Sequence, residues 1–452
     1  MVTRKSFHKW LIVLSFTAVT YGCLPVPVST VPLHPREERH VALETAQAEH
    51  SGAFSSPVFD STGALLAAYD SGNNLVRIFR SSDLTQVYSL KPTRRPRRLS
   101  FSPRGRFLVI ESYQGWIENY LGSMSGKSPR PSSPVKMSSP EAVRDDIQRV
   151  ELWDLRSGMT IRDLSCDAVA TVEPRGGWLW AREWAIAPGY RSSALLDAHF
   201  SGDETEFSVL CWNGVRQRWN GLMNWKRLED VSPPPFWDAL MALSTASWLA
   251  QENPVCSSEN GRIIVFRVRK KHFGFSRIYI WDRNTAEIRE LPGACDGRLL
   301  PAHALSRDGN RVVIPCNKGL GYAIRVWEFD SGRELPLKDA EFGIQGGLPS
   351  LSSGGVALSC NGRYLAAALL GQMEALLPNV FLIPVGKSRS DLRLWSVDEG
   401  KELVAVPIDD LVGREDYFGG VDLAFSPDDS MLVVSGRRLR IYRLIDLDPD
   451  AR

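Results

Sequence analysis

Residues 306–337 read SRDGNRVVIPCNKGLGYAIRVWEFDSGRELPL, and this stretch contains the pattern that decides the fold. A polar turn at Asp308 precedes a β-branched run, and a glycine-rich break separates that run from an alternating run that ends near Trp327. A further turn at 330–332 leads into a short closing run. Apolar runs of this length between turn residues predict β-strands, so the stretch holds three strands and the start of a fourth.

The same order of turn, strand and aromatic strand end recurs to give seven units along the chain. An aromatic residue stands at the matching place in every unit: Phe79, Trp153, Trp219, Trp281, Trp327, Trp395 and Tyr442. A single four-stranded unit cannot bury both of its faces, so repeated units must stack on one another. Because these aromatic residues hold a fixed place in the repeat, we expect them to pack between neighbouring units rather than to bind a ligand.

The units resemble the WD-repeat family, in which a turn like SPDG precedes one strand and a Trp-Asp-like pair ends another. The literal Trp-Asp pairs are at 153–154 and 281–282, and SPDD stands at 426–429. The resemblance implies a β-propeller, and with seven units the predicted fold is all-β, a single propeller of seven four-stranded blades.

The last unit stops after its third strand, which would leave an unpaired edge where the ring must close. The segment HVALETA at 40–46 is strand-like and has no complete unit of its own around it. We therefore predict that the seventh blade is shared between residues 40–46 and 421–447. Such closure by the two chain termini also resembles WD-repeat propellers.

Three segments are predicted along the chain. Residues 1–22 read as a signal peptide with basic residues before a short apolar run, residues 23–39 as a proline-rich tether, and residues 40–452 as the propeller. Insertions are predicted near 113–148, which is rich in Ser and Pro, and near 371–390. In the third unit, Asn220-Gly221 predicts a tight hairpin turn between two strands.

The end of the signal, Gly22-Cys23, resembles a bacterial lipoprotein signal. That resemblance implies cleavage before Cys23 and lipidation of Cys23, hence a membrane-anchored protein of the bacterial cell envelope. Leu24 after the cysteine resembles the signals of lipoproteins that reach the outer membrane of Gram-negative bacteria. An ordinary signal peptide that is cut nearby stays open as the alternative.

The overall charge gives no attraction to nucleic acid, because 54 Lys and Arg stand against 52 Asp and Glu. We therefore expect no nucleic-acid partner. The densest basic cluster is a candidate anionic docking patch formed by Lys91, Arg94, Arg95, Arg97 and Arg98. It is either a solvated loop or a surface that meets lipid headgroups or an acidic partner.

Residues that carry chemistry do not form a recognised motif in the sequence. GSMSGKS at 122–128 is one residue too short for a phosphate-binding loop, and the histidines show neither metal-ligand nor nucleophile spacing. Six cysteines follow Cys23, one in each of six separate places, without a C-x-x-C pair: Cys166, Cys211, Cys256, Cys295, Cys316 and Cys360. We predict them to be buried, with disulfides allowed by export. No catalytic, cofactor or metal site is predicted.

Two functions remain open at this point. The first is an exported, membrane-anchored propeller that acts as a protein-interaction scaffold without catalytic activity and binds protein partners that the sequence does not identify. The alternative is an extracytoplasmic propeller enzyme, a hydrolase or lyase on glycan or peptide, with a site at the central channel. The alternative requires carboxylates, or a histidine with a carboxylate, that converge on that channel.

Overall fold

The computed structural model describes the propeller part of the chain in fourteen ranges, and all statements below refer to them. They are residues 41–112, 149–165, 195–211, 215–221, 224–232, 255–258, 262–269, 276–285, 287–291, 304–318, 321–342, 350–370, 390–412 and 421–446. The predicted signal peptide, the tether, Cys23 and most of both predicted insertions lie outside the described residues. Within these ranges the structure contains no helix with the length and apolar character needed to cross a membrane.

Short β-branched and aromatic runs between polar turns form the strands, as the sequence pattern predicts. In the first half of the chain the strands are β1 (Val41–Ser51), β2 (Phe54–Phe59), β3 (Leu65–Asp70), β4 (Leu75–Arg80), β5 (Gln86–Leu90), β6 (Pro96–Phe101), β7 (Phe107–Ser112), β8 (Arg149–Asp154), β9 (Met159–Ser165), β10 (Leu195–Phe200), β11 (Glu206–Cys211), β12 (Arg216–Asn220) and β13 (Lys226–Arg227).

The second half of the chain repeats the arrangement. Its strands are β14 (Val255–Ser257), β15 (Ile263–Arg269), β16 (Ser276–Asp282), β17 (Glu287–Glu290), β18 (Ala304–Leu305), β19 (Arg311–Lys318), β20 (Gly321–Glu328), β21 (Arg333–Leu335), β22 (Glu341–Phe342), β23 (Ser350–Leu358), β24 (Tyr364–Leu370), β25 (Asp391–Ser396), β26 (Lys401–Pro407), β27 (Asp422–Phe425), β28 (Met431–Ser435) and β29 (Arg438–Asp446).

Antiparallel pairing groups these strands into seven blades, which confirms the predicted fold. Blades 1 to 6 begin with β2, β6, β10, β14, β18 and β23, and each runs through four strands in chain order. Blade 5 has the additional short strand β22 beside β20, and blade 7 has the order β27-β28-β29-β1. First strands of neighbouring blades contact one another at six of the seven blade boundaries, including β27 with β2, so the first strands line the inside of the ring and the fourth strands lie outside.

The predicted closure of the ring is confirmed. Strand β1 pairs with β29, with Val41 opposite Asp446 and Leu43 opposite Leu444. The closing strand is longer than the predicted segment 40–46, because the pairing resumes after a register shift and continues to Ser51 opposite Arg438. The fourth strand of the last blade thus comes from the N-terminal end of the propeller.

The apolar core lies in layers between successive blades, and the recurring aromatic residues occupy it. Trp327 packs with Ile263 and Ile280 of the preceding blade, and Trp395 packs with Val313 and Val326 of the blade before it. Four more of the recurring aromatic residues pack against the preceding blade in the same way: Phe79, Trp153, Trp219 and Tyr442. Their predicted role in blade packing is confirmed at these six positions, whereas Trp281 is half-buried and belongs to none of these clusters.

The predicted tight turn at Asn220-Gly221 is wrong. Asn220 ends β12 and pairs with Lys226, so the turn that follows is longer than two residues. The reason is Trp225, which is buried and whose ring lies 5.2 Å from the ring centroid of Phe107. Because this large apolar ring packs in the core between blades 2 and 3, the turn must be longer. Trp225 has a φ of 60°.

Candidate interaction face

The propeller has two ends that differ in how the chain connects its strands. The turns between first and second strands, and between third and fourth strands, lie at one end, which we call the turn face. The links from second to third strand, and from each blade to the next, lie at the opposite end, the loop face. This follows from antiparallel pairing with all first strands running the same way around the ring.

Turns at the turn face bind the turns of neighbouring blades. The backbone N–H groups of Cys360 and Asn361 in blade 6 donate to the carboxylate of Asp429 in blade 7, at 2.6 and 3.1 Å. Between blades 5 and 6, the Arg307 N–H donates to the Cys360 carbonyl at 2.8 Å. The Ser61 hydroxyl of blade 1 donates to the Pro103 carbonyl of blade 2. We call this series of contacts the turn belt.

A close backbone approach completes the turn belt between blades 4 and 5. Gly309 has a φ of +77°, and a Cβ atom at this position would lie 2.6 Å from Cγ1 of Ile263. Only glycine meets both requirements, because the left-handed conformation is unfavourable for other residues and the neighbouring blade leaves no room. Hydrogen bonds and close packing at the turn face therefore help to hold the ring together.

The loop face at blade 7 carries an ionic network that joins the closing strand to its neighbours. Glu49 of β1 contacts Arg438 at 2.9 Å and Arg440 at 3.3 Å, and Arg440 also binds Asp410, which follows blade 6. Burial lowers the pKa of the Arg440 guanidinium, but its hydrogen bonds to Asp410 and Tyr442 outweigh burial, and the net pKa is raised. Arg440 is therefore fully charged at neutral pH, and it ties three segments of the chain together.

The long connections of the chain lie at the loop face. Residue 112 ends β7 and residue 149 begins β8, so the predicted Ser/Pro insertion leaves and re-enters the propeller at this face. The second predicted insertion does the same between residues 370 and 390. Both insertions therefore attach to the face that the turn belt leaves uninvolved.

The basic run lies at the loop face, on the link from blade 1 to blade 2. Lys91 and Arg95 are exposed, Arg94 is half-buried, and the side chain of Arg97 lies outside the described residues. Arg98 is directed inward, 3.6 Å from the buried carboxylate of Glu111. The structure thus divides the predicted patch, because Arg98 is used inside blade 2 while Lys91 and Arg95 face solvent.

A second buried carboxylate fixes the course of the basic run. Glu151 accepts hydrogen bonds from the backbone N–H and the hydroxyl of Thr93, and its other oxygen accepts one from the Trp153 indole at 3.0 Å. A charge-assisted bond of this kind is stronger than a neutral one. The run is therefore held against blade 2 at Thr93, and this holds Lys91 and Arg95 on either side of the anchor.

One carboxylate stands at the loop-face end of the innermost strands. Asp422 begins β27, and its Oδ2 accepts a hydrogen bond from the Ser56 N–H of blade 1 at 2.8 Å. Burial raises the pKa of Asp422 to about 6. Ser56 has a φ of 52° beside a bulge in β2, so the backbone turns out of its regular course to make this bond. Sequence reasoning missed this pair, because its members are separated by 366 residues.

A histidine joins blades 3 and 4 near the turn face. Nε2 of His199 lies 3.1 Å from the Ser208 hydroxyl and 3.1 Å from Nη1 of Arg283 in the next blade. Ser208 is buried, and the guanidinium of Arg283 can only donate. The arrangement is typical of a structural tie between blades and not of an exposed nucleophile. The sequence showed His199 as isolated because Arg283 is 84 residues away.

Among the cysteines whose side chains the structure describes, the predicted burial is confirmed for Cys211 and Cys316 and is wrong for Cys360. Cys211 and Cys316 are 1% and 2% exposed, and each takes part in a disulfide. Cys360 is half-buried and is a thiol. Among the described residues, no group of three His, Cys, Asp or Glu side chains lies close enough to hold a metal ion.

Comparisons with known proteins give a fold-level similarity. No protein-family model matches the chain, and no curated protein matches it. Among solved structures, the chain is similar to the β-propeller domain of Cps50 (Swd1) from Myceliophteria thermophila, with 15% sequence identity and a TM-score of 0.47. The match covers 89% of this chain and 100% of that domain.

Proposed function

We propose that this protein is an exported, lipid-anchored propeller that acts as a protein-interaction scaffold through its loop face. The observation that carries the proposal is the unequal use of the two faces. The turn face is engaged in the turn belt, whereas the loop face bears the long connections. Loops on a rigid scaffold are where binding is usually located.

The disulfides of Cys211 and Cys316 support export. Disulfides persist in oxidising compartments and are rare where thiols are kept reduced. Export also agrees with the basic n-region and short apolar run of residues 1–22. The anchor would be the lipid on Cys23, and several acyl chains on one residue would hold the protein stably at a membrane.

The anchor is tested by expressing the full chain and its Cys23→Ser variant with a labelled fatty acid. We expect label and membrane fractionation for the parent and neither for the variant. If both chains lack label, or if both fractionate as soluble, the anchor is refuted and an ordinary secreted propeller replaces it.

Export is tested separately by thiol labelling of the denatured protein from cells. We expect Cys211 and Cys316 to react with a maleimide reagent only after reduction, and Cys360 to react without it. Labelling of Cys211 and Cys316 without reductant would contradict an oxidising location.

The binding face is tested by photo-crosslinking in cells of the source organism. A photoreactive amino acid replaces the exposed residues Asp409 or Arg437 at the loop face, and Asp330 or Glu399 at the turn face as matched controls. We expect discrete adducts from the loop-face positions and none from the controls. Adducts only from the turn face would overturn the assignment of the binding face.

A further inference from the structure

The outer edge of blade 1 differs from the outer edges of the other six blades. Its fourth strand, β5, reads QVYSL and contains no charged residue. Every other fourth strand carries at least one charged residue, for example Glu44, Arg162, Lys226, Glu287, Arg333 and Lys401. Charges on an edge strand are a common device against pairing with another chain. Blade 1 lacks this protection.

The same strand exposes large apolar side chains to solvent. Val87 is 41% and Tyr88 is 40% exposed, and the flanking residues Gln86 and Ser89 are exposed as well. The pairing with β4 shifts register between Tyr88 and Gln86, so Val87 lies at a bulge, and Val87 and Tyr88 form two adjacent exposed apolar side chains along the edge. A partner strand here would therefore meet two exposed apolar side chains at the edge.

The backbone of β5 is positioned to pair outward. It is the last strand of its sheet in the described part of the chain, and its register with β4 runs from Val76 opposite Leu90 to Ile78 opposite Tyr88. Alternate N–H and C=O groups of an edge strand point away from the sheet and can bind an added strand. The segment from Tyr88 to Leu90 is thus a regular template, and Val87 precedes it at the register shift.

The two ends of β5 differ in charge. The chain leaves β5 at the loop face into Lys91 and Arg95, which are exposed and have no acidic partner among the residues that the structure describes. At the opposite end of β5, Arg80 is paired with Asp83 at 3.3 Å. Of the two ends of β5, the C-terminal end is therefore the one with unbalanced positive charge.

We propose that β5 binds an extended segment of a partner protein as an added antiparallel strand. The segment has acidic residues in its N-terminal part, which meet Lys91 and Arg95, and alternating apolar residues after them, which pack on Val87 and Tyr88. Antiparallel addition is favoured because antiparallel pairs are the commoner kind. The inference deepens the proposed scaffold function and rests on it for the existence of a protein partner.

The probe for the test is a synthetic peptide, acetyl-Glu-Asp-Glu-Val-Tyr-Val-Thr-Val-amide, that carries a fluorophore. Binding to the full mature chain is followed by fluorescence anisotropy, and hydrogen exchange of the protein is measured with and without peptide. We expect saturable binding and slower exchange of the amides of β5. A peptide that is N-methylated at every residue of its apolar part has no N–H group to donate from either edge, and we expect it not to bind.

Variants separate edge pairing from general attraction. We expect Val87→Lys to weaken binding at least about tenfold, because it places a charge in the edge, and the double variant Lys91→Glu with Arg95→Glu to do the same. The matched control is Met159→Lys, which changes an exposed apolar residue on the outer strand of blade 2. We expect the control to bind as the parent does. All these positions are exposed, so the variants keep the fold.

The proposal is overturned if the peptide does not bind the parent, if the N-methylated peptide binds equally, or if Met159→Lys weakens binding as much as Val87→Lys. Binding of the parent to phosphatidylglycerol vesicles that depends on Lys91 and Arg95, without peptide binding, would also overturn it in favour of a lipid surface. A parent chain that carries no lipid label, fractionates as soluble and still binds the peptide would reject the anchor and leave the edge site standing.

Discussion

Single side chains in this propeller act mainly across blade boundaries. Trp327 is 1% exposed and its ring fills the layer between blades 4 and 5, where it meets Ile263 and Ile280. Asp422 bonds to the backbone of blade 1 although it belongs to blade 7. Such residues report on how blades are held together, and each can be tested by one substitution.

Replacing Trp327 by alanine should destabilise the protein by about 3–5 kcal/mol, because a large buried aromatic is lost and the rigid strands around it cannot close the cavity. Urea denaturation measures the change. The matched control is Tyr88→Ala, which removes an exposed aromatic from blade 1 and should change stability little. Equal denaturation midpoints for the parent and the Trp327 variant would show that this residue does not support blade packing.

Asp422 should make stability depend on pH. Its pKa of about 6 in the folded protein lies above the reference value of 3.8, so between these values the folded protein holds a proton that the unfolded chain has released. The free energy of unfolding therefore falls as pH rises from about 4 to about 6, and it is level above that range.

Asp422→Asn removes this slope and keeps an oxygen that can accept from the Ser56 N–H. We expect the variant to be more stable than the parent by about 1–3 kcal/mol at pH 7.5 and to show little difference near pH 4. Thermal or urea denaturation across this pH range measures it, with Glu399→Gln at an exposed carboxylate as background. A parent and variant with parallel pH profiles would refute the role given to Asp422.

At the level of elements, the turns of the turn face and the closing strand determine whether the ring holds. Gly309 and Gly332 lie in two turns of the same blade, and both have positive φ. A Cβ atom on Gly332 would meet nothing within 4 Å, whereas one on Gly309 would meet Ile263 of blade 4. The pair therefore separates backbone strain from contact between blades.

Gly332→Ala should cost about 1 kcal/mol, the usual cost of a left-handed conformation for a residue with a Cβ atom. Gly309→Ala should cost clearly more, because Ile263 must also shift in a packed layer. Chemical denaturation of both variants gives the difference. If the two losses are equal, the close approach between blades 4 and 5 contributes nothing measurable.

The closing strand offers a test of the ring itself. Leu43 of β1 packs against the apolar cluster between blades 6 and 7, and it lies opposite Leu444 in the register. Leu43→Asp removes this apolar contact and brings a charge to the edge of the core. We expect a loss of at least ~2 kcal/mol.

The control for the closing strand is Glu44→Ala, which changes the exposed neighbour on the same strand. Denaturation followed by tryptophan fluorescence compares the two variants. If Leu43→Asp unfolds with the same midpoint as the parent, the ring does not depend on β1 for its stability.

At the level of the whole molecule, the repeat was predictable because it is a local pattern. A turn glycine, an alternating run and an aromatic at a fixed place specify a blade wherever they occur, and the unclosed last unit pointed to residues 40–46. The turn after Asn220 was predicted wrongly, because its length depends on the packing of Trp225 against Phe107, which belongs to another blade.

For the loop face, the sequence predicted which charged residues are present but not how they are arranged. The charge of residues 91–98 is visible in the sequence, but the inward direction of Arg98 depends on Glu111. The links of Asp422 with Ser56 and of His199 with Arg283 join residues that ring geometry alone brings together. A pattern with local periodicity cannot encode contacts between distant blades, so these parts of the site required the structure.

The pairing of β1 with β29 also sets the order of events during synthesis. Val41 emerges long before its partner Asp446, so the ring cannot close until the seventh blade has been made. Contacts between such distant residues form slowly, because a very long loop must be closed. A chain that passes a membrane through a narrow secretion channel must stay unfolded until it emerges. Under the export proposed above, late ring closure would keep the propeller unfolded enough to pass such a channel.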